Sequence, residues 1–160
     1  MSSETEEAII ADDGSFTAAF RLGYPYDRTV GTTLSRFFRS LAECRIEGTV
    51  GSDGRVYVPP AEFDPDTGDA LTQWRTCAST GSVVTWSWQS EPGEHHRINH
   101  PFAWALVQLD GTDVPMLTTI EAGSPDAMTT GMRVRVRWAD ERVGSIHDIA
   151  CFEPDTEKKR

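Results

Sequence analysis

One stretch that could form a long helix, followed from residue 48 onward only by short β-rich runs, is the feature that most constrains this chain. In residues 28–42, RTVGTTLSRFFRSLA, the side chains Val30, Leu34, Phe37, Phe38 and Leu41 recur at helical spacing. They predict one apolar stripe, flanked by Arg36 and Arg39. Gly31 weakens the first turn, so the expected start is Thr32 or Thr33, either of which suits a cap. Beyond Gly48 the β-rich runs fall at 55–58, 71–76, 83–89, 102–109, 114–121, 132–138 and 146–152. They are separated by Pro59-Pro60, Pro65-Asp66-Thr67-Gly68, Asp110-Gly111, Ser124-Pro125 and Gly131. Asp110-Gly111 predicts a tight hairpin. One helix and then closely spaced strands predict a mainly β fold closed into a small barrel. An OB-fold barrel of five to six strands is the natural size match.

The 160 residues fit one domain. A formal net charge of −10 argues against tracking a phosphate backbone, so nucleic acid is not an expected partner. No apolar run approaches the roughly 20 residues needed to span a bilayer. The acidic start, MSSETEEAII, lacks the basic region of a secretory signal. Cys44, Cys77 and Cys151 are widely spaced and odd in number, as expected of free thiols in a reducing cytoplasm.

Several short motifs, taken in order, resemble the acyl-CoA-associated OB-fold family once labelled domain of unknown function thirty-five. Its members have a helix, a rubredoxin-like zinc ribbon and an OB barrel. In the ribbon, residues 50–54 read Val-Gly-Ser-Asp-Gly where the first cysteine pair would stand, and residues 64–68 read Asp-Pro-Asp-Thr-Gly where the second would. Val50, Asp53, Asp64 and Thr67 thus occupy the four ligand positions, while Gly54, Pro59, Pro60, Pro65 and Gly68 keep the turns. In the barrel, Gly81-Ser82-Val83 with Trp86 and Trp88, Pro101-Phe102 leading to Leu109-Asp110, Gly131-Met132-Arg133-Val134, and Phe152-Glu153-Pro154 are similar to the family's strands and turns. The resemblance covers about residues 25–154. It implies an acidic segment at 1–27, the helical region at 28–48, a degenerate ribbon at 49–71, the barrel at 72–154 and a charged tail at 155–160.

The resemblance further implies a small, non-catalytic partner of a thiolase-fold protein acting on acyl-CoA thioesters, in a hetero-oligomer. Tyr26 and Arg28, then Asp53 to Pro60, look most like zinc-less members linked to lipid-transfer-type aldolases of steroid side-chain breakdown. The chain then needs no cofactor and meets acyl-CoA through its partner. Metal is not expected in the ribbon, because Val50 cannot ligate and Asp53, Asp64 and Thr67 offer only oxygen in place of thiolate or imidazole.

Candidate residues each carry a plainer alternative. The stripe of Leu34, Phe37, Phe38 and Leu41, framed by Arg36, is either a partner interface or the helix's seat on its own domain. Trp86, Trp88 and Trp104 are candidate acyl contacts; core and barrel-mouth packing is the preferred alternative. Arg133, Arg135 and Arg137 alternate on one strand and so share a face. They are either a stripe for CoA phosphates or, preferably, a solvated face paired with acidic residues. His95, His96 and His100 near Glu94 could suggest a metal site or a hydrolase, but adjacent histidines do not both face one metal, so an exposed loop is preferred. His147 and Cys151, if on one strand, lie roughly 13 Å apart, at ~3.3 Å per residue, too far for proton transfer. No catalytic set is expected. A free-standing acyl-CoA or lipid-binding OB module is the rival reading.

Overall fold

Helix α1 spans Gly31–Ala42. It starts at Gly31, ahead of the two threonines, with Gly31 at φ +78°, a left-handed conformation that glycine tolerates without a Cβ penalty. The Thr29 hydroxyl accepts the Gly31 N–H at 3.2 Å. The computed structural model describes residues 9–10, 12–17, 23 and 27–156. Tyr26 and most of the acidic segment therefore lie outside the described residues. Ahead of the helix, β1 (Ile9–Ile10) pairs antiparallel with β2 (Phe16–Thr17).

The helix feeds a three-stranded antiparallel sheet of β3 (Ile46–Val50), β4 (Val56–Tyr57) and β5 (Trp74–Cys77), in the order β4-β3-β5. This is the ribbon. Gly48 lets β3 form: a Cβ there would stand 2.6 Å from the Tyr57 carbonyl oxygen and 2.8 Å from the Val58 side chain. Arg36 clamps the helix to the sheet. Its guanidinium donates to both Glu47 oxygens, at 3.0 and 3.2 Å, and lies 4.2 Å from the centre of the Trp74 ring.

Five strands close the barrel: β6 (Thr80–Gln89), β7 (Phe102–Leu109), β8 (Met116–Ile120), β9 (Arg133–Trp138) and β10 (Ile149–Pro154). Their circuit is β10-β8-β7-β6-β9. Counted within the barrel, that is first-second-third-fifth-fourth, with a parallel third–fifth seam, as in an OB fold. Alternation along β7 sends Ala103, Ala105, Val107 and Leu109 inward, where they meet Val83, Met116, Ile120, Val134 and Phe152. Phe37 and Leu41 of α1 complete the same core with no exposed surface, while Leu34 and Phe38 are half-buried. Phe37, Leu41 and part of Phe38 thus seat the helix on its own domain.

Two glycine motifs acquire physical reasons. A Cβ at Gly81 would meet the Gln108 carbonyl oxygen at 2.4 Å and Leu109 Cα at 2.9 Å, so β6 approaches β7 there as only glycine allows. Gly131 turns at φ +84° and donates its N–H to the Val83 carbonyl at 2.7 Å, while Val83 donates to Met132 at 3.0 Å. This pair bonds the turn to the bulge in β6 between Val83 and Thr85. The Asp110-Gly111 connection is longer than a two-residue hairpin, because residues 110–115 reach out to the ribbon. Asp113 accepts the Val56 N–H at 2.9 Å and returns its own N–H to the Val56 carbonyl at 3.1 Å. No helix among the described residues is long and apolar enough to cross a membrane.

Candidate functional site

Strands β8 and β10 share a single register pair, Ile120 with Phe152. Toward the start of β8 they part, and the seam opens into a cavity of about 270 Å³. Its floor is apolar, with Phe102, Met116 and Ile149. Its walls come from the long loop after the first barrel strand and from the loop before the last. The first brings His95, His96, Arg97 and Ile98; the second brings Ile146 and His147. These two loops, with the face of the second and third strands, are where OB barrels bind ligands.

Local interactions fix both walls. On one side His96 packs against Phe102 at 5.6 Å and Trp104 at 6.3 Å between ring centroids, and Phe102 meets Trp104 edge-on at 5.5 Å. The His96 ring nitrogen Nδ1 accepts the Gly93 N–H at 2.8 Å, curling the loop. On the other side, Asp148 is buried and accepts N–H bonds from Val143, Gly144 and Ser145 at 3.0, 2.9 and 3.2 Å. Desolvation alone would raise the Asp148 pKa, but these three donors outweigh it and hold the carboxyl below its ordinary value. Across the mouth, Arg97 Nη1 donates to His147 Nδ1 at 2.8 Å. Trp104, Leu117 and Ile146 remain 39, 64 and 41% exposed around the opening.

Of the expected acyl-contact residues, Trp104 alone lines this cavity. Trp86 and Trp88 pack partly buried against the core. The arginine stripe is spent on acidic partners. Arg133 is paired with Asp110, Arg135 with Glu153 at 2.8 Å, and Arg137 with Glu121 at 2.7 Å. The histidines divide: His95 and His96 line the cavity, while His100 faces Glu121 at 3.4 Å. Arg97 and His147 were not singled out as binding residues. His147 sits in a short 3-10 turn, Ile146–Asp148, and the serine cap ahead of it, Ser145 with Asp148 three residues on, was the available signal.

Cys151 is buried, and desolvation, first among its causes, pushes its thiol up to about 12, so it supplies no nucleophile near neutral pH. Cys44 and Cys77 are likewise free thiols.

The ribbon does not fit a zinc ion. Both Asp64 oxygens are engaged with backbone donors: Oδ2 accepts the Ser52 N–H at 2.7 Å, and Oδ1 accepts those of Asp66 and Thr67 at 2.9 and 3.3 Å. These bonds, led by that of Ser52, hold the Asp64 pKa down to about 2. Asp53 turns instead to Arg55, at 3.0 Å, and the Thr67 hydroxyl accepts the Asp69 N–H at 3.2 Å. Asp64 therefore ties one knuckle of the ribbon to the other where a metal would do so. Among the described residues no cluster of three or more His, Cys, Asp or Glu could hold a metal.

Residues 74–139 match the family model described as ChsH2, C-terminal OB-fold domain. Among solved structures, the chain is similar to one named Ltp2-ChsH2(DUF35) aldolase, with a TM-score of 0.59 and 19% identity, over 80% of this chain and 98% of that one. It is also similar to a protein of unknown function from the DUF35 family of Sulfolobus solfataricus, with a TM-score of 0.54 and 18% identity, over 67% of this chain and 77% of that one. No curated protein matches the chain. At these identities the structural likeness speaks for the fold.

Proposed function

We propose that this chain, an OB-fold protein of the ChsH2 and DUF35 kind, is the accessory subunit of a thiolase-fold enzyme acting on acyl-CoA thioesters. The observation that carries the reading is the likeness to a chain of the Ltp2-ChsH2 aldolase over nearly the whole of that chain, joined to the family match of residues 74–139. The same likeness, with the ribbon residues Asp53 to Pro60, leads us to propose a retro-aldolase of steroid side-chain degradation as the assembly's activity. In this account the thiolase-like, lipid-transfer-type partner holds the catalytic groups, and the two form a hetero-oligomer in the cytoplasm. This chain contributes no cofactor.

The helix interface is narrower than the sequence stripe. Phe37 and Leu41 are fully buried in the chain's own core, so a partner docking on α1 would meet Leu34, Arg36 and the outer part of Phe38. A second reading, a free-standing acyl-CoA or lipid-binding module, is favoured by the apolar cavity between β8 and β10.

Co-expression of the tagged chain with a thiolase-fold protein from the same genome, followed by size exclusion, tests the proposal. A co-eluting complex of fixed stoichiometry supports it. Elution of the folded chain alone, at every thiolase-fold candidate tried, overturns it in favour of the free-standing module.

A further inference from the structure

Six arginines among the described residues are matched with carboxylates. Arg36 pairs with Glu47, Arg45 with Glu43, Arg55 with Asp53, and the three strand arginines with Asp110, Glu153 and Glu121. Arg97 is different. It stands in the wall of the cavity and has no carboxylate partner among the described residues. Its side chain instead donates to an imidazole nitrogen of His147. No aspartate or glutamate lines the cavity, although the chain carries 25 of them, and Glu94, beside His95 in sequence, is not in its wall. A guanidinium has five donors and no acceptor, and one bond to His147 leaves the others for an incoming group.

The floor beneath is apolar and aromatic, while the Arg97 guanidinium stands at the wall. A space of about 270 Å³ takes roughly nine water-sized groups, at ~30 Å³ each. We infer that the cavity binds an apolar carboxylate of about that size, its body against Phe102, Trp104, Leu117 and Ile149 and its carboxylate at Arg97. A carboxylate suits the planar fork of a guanidinium, which gives it two parallel hydrogen bonds. The apolar body gains by displacing water from a floor that offers it no hydrogen bonds. The inference concerns the chain by itself and stands apart from the proposed partnership, so the failure of either leaves the other untouched.

The test uses the full chain and three eight-carbon probes: octanoate, octanol and octylammonium. Binding is followed by calorimetry and by tryptophan fluorescence. Octanoate is expected to bind saturably and at least tenfold tighter than octanol, with octylammonium weakest. In Arg97→Gln, octanoate falls to the level of octanol, while thermal unfolding is unchanged. In Trp104→Phe, the fluorescence change disappears and calorimetric binding persists. Equal binding of octanoate and octanol overturns the inference, as does a preference for octanoate that survives Arg97→Gln. Absence of saturable binding up to millimolar octanoate also overturns it; if Trp104 then responds to a thiolase-fold protein, the face belongs to that protein.

Discussion

Replacing Phe37 by alanine separates two uses of the helix, a seat on its own domain or a dock for another. The ring has no exposed surface and lies in the same core cluster as Val83, Ala105, Ile120 and Phe152. Truncating a fully buried phenylalanine costs about 3–5 kcal/mol, from lost transfer energy and the cavity left behind. At roughly 2–4 °C per kcal/mol for a domain of this length, Tm should fall on the order of 10 °C. Leu34→Ala, on the half-buried end of the stripe, should cost roughly 1 kcal/mol and lower Tm by only about 2–4 °C. Thermal unfolding of the isolated chain by circular dichroism gives both values in one comparison. If Phe37→Ala melts within 2 °C of the parent while complex formation is lost, the ring is an interface residue, and the packing described above is wrong.

Other substitutions read separate parts of the account. Asp64→Asn should lower stability, since Asn cannot offer both oxygens as acceptors to the Ser52, Asp66 and Thr67 amides. The native carboxyl titrates at about 2, below its ordinary 3.8, so its contribution is full above pH ~4 and is lost as pH falls toward 2. The Tm gap between parent and variant should therefore close across that window, and a gap constant from pH 7 to pH 2 would contradict this. Gly81→Ala should cost about 1–3 kcal/mol by overpacking, because its methyl group would meet backbone atoms that have little room to shift; an unchanged urea midpoint would contradict it. Excess EDTA should leave Tm unmoved, since the ribbon positions Val50, Asp53, Asp64 and Thr67 are held by turns and amide bonds. A drop on chelation would reveal a structural metal.

What the sequence made legible was what repeats along it. Helical spacing located α1, and runs of β-branched and aromatic residues located all five barrel strands, with edges shifted by a few residues. Strand β3 escaped because its Ile-Glu-Gly-Thr-Val pattern has no alternation and a central glycine; its longer pairing is with Trp74–Cys77, some 25 to 31 residues on. The bulge in β6 was likewise invisible, although the glycine motifs that accompany it were seen. The cavity was harder still. Its walls come from two loops some fifty residues apart, and Arg97 and His147 meet only once the barrel closes. Alternation put Arg133, Arg135 and Arg137 on one face but said nothing of the acidic side chains opposite them on β10 and in the turns.

The most direct test of the subunit account is the rate of acyl-CoA carbon–carbon cleavage, measured for the chain alone, for its thiolase-fold partner alone, and for the two purified together. The account predicts no turnover by this chain, little or none by the partner, and cleavage only by the complex. A partner that turns over equally fast without this chain, or turnover by this chain alone, would contradict it.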